Sequence, residues 1–483
     1  MSTIQVGGRS IVKTYLNRNT IPLGALLVFL FWAGATNGED APEQRAAVGQ
    51  EFHLDNGLKI LIKEDHRAPV VATEVWYRVG SSYESIGSTG ISHMLEHMMF
   101  KGTPQHPAGE LSRIIAANGG TENAFTGADY TAYFQDLENT RLAVSFALEA
   151  DRMHNLSLPP EEFVKEHQVV MEERRLRTDD NPRALTVEQL AATAYVNSPY
   201  HWMIIGWMGD IEHLTVDDVR EWYHRWYTPN NATLVVVGDV DPKEVVTLAT
   251  RYFGPIPAGS AVPTPKTHPE PLQRGERRVV VKAPALLPYL AMGYHVPVLH
   301  STTNPWEPYA LEVLAQLLDG DASARFSREL VRGSEVASSA DAGYDLYARL
   351  PSLFTLDGTP ARGKSIQILE TALRDQVRRV RDELVTSAEL ERVKARAVAD
   401  KVYARDSIVY QAMQIGMLDA AHIDWHVADE YVGRIQAVTA EQVQSVARQY
   451  LLDDNLTVAI LDPQPIDPKH PISEAPLGGN NVR

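Results

Sequence analysis

Two histidines four residues apart, His93 and His97, flank Glu96 in the stretch ISHMLEHMMFKGT at 91–103. On a helix, positions four apart lie one turn above each other on one face. Both imidazoles could therefore address a single object, with Glu96 beside that face. Such a convergence suggests a bound metal, with the carboxylate serving as ligand or as base. Two histidines on one helix need at least one further protein ligand, and catalysis needs an open position for water. The chain has no cysteine. Thiolate sites and disulfides are thus excluded, and His and carboxylate side chains must hold any zinc.

The further ligand is sought on the acid-rich segment SLPPEEFVKEHQVVMEERRLRTDDNP at 157–182. Ser157 reads as a helix cap, with Pro159 and Pro160 in the first turn. Glu166 and Glu173 are seven apart and share a face that Val169 and Val170 would help bury. Glu172 points about 100° away from Glu173, so one of the two ligates, and spacing alone does not choose between them. Met94, Met98 and Met99 read as core filler. A second pair, His422 and His426 with Glu430 beyond, lacks a glutamate before its second histidine and has no acid helix after it. It reads as a helical surface pair.

A chain of 483 residues is too long for one ordinary core, so two or more domains are expected. The segments LTVDDVREWYHRWYTPNNATLVVVGDVDP from Leu214 and VTAEQVQSVARQYLLDDNLTVAILDP from Val438 match at a constant offset of 224. That offset pairs Thr215 with Thr439, Val219 with Val443, Asn231 with Asn455 and Thr233 with Thr457. Each reads as a capped amphipathic helix, a polar turn and a β-branched strand. This internal duplication predicts two similarly folded domains of about 200 residues each. Between them GPIPAGSAVPTPKTHPEPLQRGER, from Gly254, carries six prolines and reads as an extended linker. VATEVWYRV at 71–79 alternates, with Val75, Tyr77 and Val79 on one face and Glu74, Trp76 and Arg78 on the other. LAVSFALEADRMHNLSL, after Arg141, reads as helical. The expected class is α+β, with mostly antiparallel sheets covered by helices on one side.

A formal charge of −17 argues against a nucleic-acid partner. At the amino terminus Arg9, Lys13 and Arg18 precede the apolar run IPLGALLVFLFWAGA at 21–35. That run is short for a membrane span and reads as a signal peptide with a small-residue site at Ala33-Gly34-Ala35, or as an uncleaved anchor. Either way the body is exported, periplasmic, and touches the membrane only through that anchor.

The stretch GSTGISHMLEHMMFKGT resembles the inverted-zincin peptidases of the pitrilysin/insulinase family, which includes the mitochondrial processing peptidases. The resemblance extends to NAFTGADYTAYF at 123–134, the acid-rich helix, YTPNNATLVVVGDVD at 227–241 and LLDGDASARFSREL at 317–330. It implies one zinc ion per chain, held by His93, His97 and Glu173, with Glu96 as general base toward a peptide substrate. It implies that Glu166 orients a histidine, and that Asn123 and Ala124 lie in a strand to which a peptide adds. The expected layout is a leader at 1–38, a zinc-binding catalytic domain at 48–255 and a linker at 256–275. A homologous second domain follows at 276–465, with a tail at 466–483. Complete enzymes of the family carry an arginine and a tyrosine seven apart in the second domain. Here the matching positions hold Val331 and Ser338, or Arg332 and Ser339 after a one-residue slip. The missing pair implies a homologous partner subunit that supplies it. The alternative is a non-catalytic scaffold subunit that kept the fold.

Overall fold

The computed structural model describes residues 49–260, 262 and 269–466. The expected leader at 1–38 and all but the first residue of the expected tail lie outside the described residues. The first half builds a six-stranded sheet from β1 (Gln50–His53), β2 (Lys59–Glu64), β3 (Val70–Tyr77), β4 (Thr121–Thr126), β5 (Thr131–Glu138) and β6 (Ala232–Gly238). The strand order is β1-β2-β6-β3-β5-β4, antiparallel except for the β2–β6 pair. Its helices are α1 (Ile91–Met98), α2 (Glu110–Ala117), α3 (Leu142–Asn155), α4 (Pro160–Arg174), α5 (Pro182–Ala194), α6 (Met208–Ile211), α7 (Val216–Trp226) and α8 (Pro242–Tyr252).

The second half repeats the plan with β7 (Arg277–Pro284), β8 (Tyr289–Val296), β9 (Ala337–Gly343), β10 (Ser352–Pro360) and β11 (Leu456–Gln464). The order is β7-β11-β8-β10-β9, again with one parallel pair, β7–β11. Its helices are α9 (Glu307–Asp319), α10 (Ile366–Asp382), α11 (Ser387–Ala404), α12 (Ile408–Ala420), α13 (Val427–Ala437) and α14 (Ala440–Tyr450). The offset of 224 survives in detail. Both α7 and α14 begin with a capping box, on Thr215 and Thr439. Asn231 and Asn455 then donate to the carbonyls of Trp226 and Tyr450, at 2.8 and 3.0 Å. The same side-chain chemistry ends both helices and starts both strands.

The helices do not lie on one side only, contrary to the expectation from the sequence. One face of the first sheet packs Val71, Val75 and Tyr77 against Met94, Leu95 and Met98 of α1. Its other face, with Trp76, Phe125 and Phe134, is covered by α12 from the second half. Conversely, α5 of the first half covers the far face of the second sheet through Leu190. Helix α12 is buried along most of its length because it is sandwiched in this way. At the crossing a Cβ on Gly416 would sit 2.1 Å from Trp76 Nε1, so only glycine allows this approach. The alternation in β3 assigns its two faces as expected, yet both faces are dry. Trp76 Nε1 donates to Glu74 at 2.6 Å, and burial pushes the Glu74 carboxyl well above its usual range.

The proline-rich connection is docked at its described ends. Ile256 joins the first core. The Glu270 carboxylate accepts the backbone N–H groups of Val196, Asn197 and Ser198 at 2.7–2.9 Å.

Candidate metal centre

Helix α1 starts abruptly. Its cap, Gly90, has φ +89, and a Cβ there would meet the Ile205 carbonyl oxygen at 2.4 Å, so a side chain is excluded on both counts. Two carboxylates brace this entry. Glu84 accepts the N–H groups of Gly90 and Ser92 at 2.8 and 2.9 Å, satisfying donors that the helix itself leaves open. Asp210 takes the hydroxyl and N–H of Thr89 and the N–H of Gly87. Met94, Met98 and Met99 face the core as expected.

Helix α4 departs from the sequence reading at its start. Ser157 is not the cap: its N–H donates to the Gly102 carbonyl at 3.1 Å, and Pro159 occupies the cap position. Leu158, at φ +45, turns the chain between them. Helix α4 packs beside α1 and brings Glu166 and Glu173 to the two histidines.

One donor atom from each of His93, His97 and Glu173 lies within 4.8 Å of the others. His97 Nε2 is 3.3 Å from Glu173 Oε2, and His93 Nε2 is 3.9 Å from the same oxygen. Ligands on a tetrahedral zinc ion, with bonds of about 2.1 Å, lie roughly 3.3 Å apart, and the two distances to Glu173 Oε2 are close to that spacing. Glu172 stays exposed beside Arg175, outside the cluster. Glu166 Oε2 is 3.1 Å from His97 Nδ1, and Lys101 Nζ reaches Glu166 Oε1 at 2.6 Å. Glu96 stands off the donor set, with its carboxylate held by the Thr126 hydroxyl at 2.5 Å.

The electrostatics suit a cation. Burial and the neighbouring His97 push the His93 imidazole down to about 3, which keeps it neutral. Burial opposes charge on His97 too, but Glu166 and Glu173 raise it to about 9. Both carboxylates stay ionised against burial. His97 and Lys101 hold Glu166 at about 2, and His97, His93 and Arg177 hold Glu173 at about 2. Burial raises Glu96, with Thr126 opposing. His93 is buried, and its Nδ1 has no hydrogen-bond partner among the described residues. A buried imidazole held neutral, with Nε2 facing a carboxylate beyond hydrogen-bond reach, fits a ligand of a positive ion. The nitrogen and oxygen donors are those zinc accepts.

Lys101, Arg177 and Thr126 escaped the sequence reading. The first two sit four residues beyond His97 and Glu173, and helical spacing alone could have found them. Thr126 is brought in by strand pairing and had no local signal. Asn123 and Ala124 lie on β4, the open edge of the first sheet, and the Asn123 Oδ1 accepts the Ala124 N–H at 2.7 Å. In the second half Arg332 donates to the Ala322 carbonyl, and Ser338 to the Thr359 carbonyl at 3.2 Å. His422 and His426 are not a helical pair. His422 sits at φ +59 in the turn after α12, and His426 caps α13 with its Nδ1 2.7 Å from Asp424. The left-handed residue breaks the helical spacing between them.

The chain is similar to known proteins along both halves. Residues 59–206 match the profile described as insulinase (peptidase family M16). Residues 213–397 match the profile described as peptidase M16 inactive domain. The chain is 33% identical over 419 residues to the zinc protease PqqE of Helicobacter pylori, covering 85% of this chain and 92% of that one. The crystal structure of a protease from Helicobacter pylori superposes with a TM-score of 0.82 at 32% identity, covering 86% of this chain and all of the other. The periplasmic protease PqqL from Escherichia coli shares the fold at a TM-score of 0.73 and 19% identity. That match covers 92% of this chain and 52% of PqqL.

Proposed function

We propose, from the premise that this chain belongs to peptidase family M16, that it is the metal-bearing subunit of a zinc endopeptidase. Its substrates are peptides or short unfolded segments. The observation that carries this reading is the convergence of His93, His97 and Glu173, with Glu96 beside them outside the donor set and held by Thr126. A structural metal site needs no such spare carboxylate.

When bound by His93, His97 and Glu173, zinc supplies Lewis-acid polarisation and a more acidic water. Glu96 takes the proton of the attacking water and passes it to the leaving amine nitrogen. Thr126 aims the Glu96 carboxylate through its hydroxyl. Glu166 accepts from His97 Nδ1 and so presents Nε2 to the donor set. Residues 123 and 124 offer the open edge of β4, where an extended peptide pairs as a further strand. The Glu96→Gln variant should keep its metal and lose at least ~10²-fold in hydrolysis of an unstructured peptide. Wild-type turnover by that variant would overturn the reading.

The absent Arg/Tyr pair supports a homologous partner that supplies those donors. Mixing the chain with such a partner should raise kcat/KM at least ~10²-fold over the chain alone. Full activity from the lone chain would refute the partner. The profile description "inactive domain" over 213–397 favours a second reading, a scaffold subunit. In that case Glu96→Gln would change nothing. An exported, periplasmic location is part of the proposal. It rests on the amino-terminal pattern and on the periplasmic location of PqqL. Among the described residues no helix is long and apolar enough to cross a membrane.

A further inference from the structure

The hairpin loops at the open edges of the two sheets meet. Residues 127–130 join β4 to β5, and residues 344–351 join β9 to β10. From the second loop Arg349 is buried against the first half. Its Nε donates to Asp129 Oδ1 at 2.9 Å and its Nη2 to the Ser82 hydroxyl oxygen at 2.8 Å. The guanidinium also lies 4.7 Å from the centre of the Tyr83 ring. Asp129 is held further by the hydroxyls of Ser82, at 2.6 Å, and Tyr200, whose oxygen accepts the Leu350 N–H at 3.2 Å.

Both arms of this contact lead to Glu96. Ser82 and Tyr83 touch Arg349, and the next residue, Glu84, holds the first turn of α1 through Gly90 and Ser92. Asp129 lies three residues past Thr126, the hydroxyl that aims Glu96. We infer that Arg349 is a positioning residue through which the second half sets α1 against the β4 edge. The inference rests on the hydrolase reading above. A planar guanidinium grips a carboxylate, a hydroxyl and an aromatic face in one fixed geometry, a rigid fork that an ammonium lacks. The second half thus acts on the site in its own chain even without the Arg/Tyr pair. A small misplacement of reacting groups is enough to cost ~10²-fold in rate.

The test compares Arg349→Lys, Arg349→Met and the milder Ser82→Ala in the full chain, with its partner if one is required. The two Arg349 variants should lose at least ~10-fold in kcat with KM within about 3-fold, and Ser82→Ala somewhat less, all with wild-type metal content. Hydrogen exchange of the metal-free variants should quicken at 84–98 and 121–126 and stay unchanged at 277–296. Unchanged kcat and unchanged exchange would overturn the inference. So would exchange that rises evenly across both halves with activity tracking the folded fraction. If Arg349→Met does not fold, Ser82→Ala decides by the same readouts. Failure of Glu96→Gln to abolish hydrolysis would remove the hydrolase reading, and the exchange pattern would still judge the coupling.

Discussion

Helices α1 and α9 hold matching places in the two halves, each against the helix that precedes the parallel-paired strand, α7 and α14. Helix α1 spends two buried turns on His93, Glu96 and His97. Helix α9 spends its length on Tyr309, Leu311, Val313, Leu314, Leu317 and Leu318, all buried. The acid-bearing helices differ likewise. Glu166 and Glu173 of α4 face histidines, whereas Glu389 of α11 grips Arg325 through both oxygens at 3.0 and 2.8 Å. One frame therefore serves a candidate reaction in one copy and cohesion in the other. The frame sets positions, and the residues placed there set the chemistry.

The exchanged helices differ in the opposite sense. Helix α12 brings Ala412 and Ala420, with Gly416 against Trp76, to a face that holds Trp76, Phe125 and Phe134. Helix α5 brings Leu190 to a face with Ala283, Ala291 and Ala459. The first crossing also packs Met413 and Leu418 of α12, and the second sets Leu190 beside Tyr289 and Leu461, so the glycine at the contact with Trp76 is what distinguishes them. Both contacts are buried, so each must fill its space closely.

The crossings can be broken from either side. Gly416→Leu should destabilise by about 3 kcal/mol or more, because the side chain has no room beside Trp76. Leu190→Ala should cost about 2–3 kcal/mol by leaving a void between helix and sheet. Denaturant midpoints measure both. If Gly416→Leu were tolerated, the crossing would be looser than the structure shows.

The acid helices can be compared by metal affinity. Glu166→Gln should weaken zinc binding about 10–100-fold, the usual cost of losing the carboxylate behind a histidine ligand. Glu389→Gln should leave zinc affinity unchanged and lower stability instead. Competition with a chromophoric chelator separates them, and equal effects on affinity would dissolve the contrast.

The smallest expected effect compares β5 with β10. Burial and the facing Asp341 push Asp357 from 3.8 to about 7, and burial pushes Asp136 from 3.8 to about 6. Below 3.8 the folded and unfolded chains both hold these protons, so there is no pH term. Above it the folded chain keeps protons that the unfolded chain releases, and stability falls as pH rises, levelling beyond about 7 and about 6 respectively. Asp357→Asn should flatten that slope and stabilise by about 1–2 kcal/mol at pH 8. Asp136→Asn should flatten a shorter range. Melting temperatures across pH 4–8 check the order, and a slope untouched by Asp357→Asn would count against its burial.

Much of the site was legible because helical spacing is local. His93 and His97 four apart, and Glu166 and Glu173 seven apart, declare shared faces without knowledge of the fold. The repeat at 224 residues was legible for the same reason, since caps, turns and β-branched runs are written in consecutive residues. Choosing Glu173 over Glu172 needed the family resemblance, and packing of α4 beside α1 then placed it.

What stayed hidden depends on partners far away in the chain. Thr126 meets Glu96 only because β4 lies beside α1. Arg349 meets Asp129 across 220 residues. Nothing near Gly416 announces Trp76, and nothing near the paired histidines says which sheet face they will share. Short-range pattern chose the elements and their faces, because backbone geometry repeats every few residues. The reciprocal crossing of α5 and α12, and the buried contact of Arg349 with the first half, were decided by packing and buried charge once the whole chain had closed on itself.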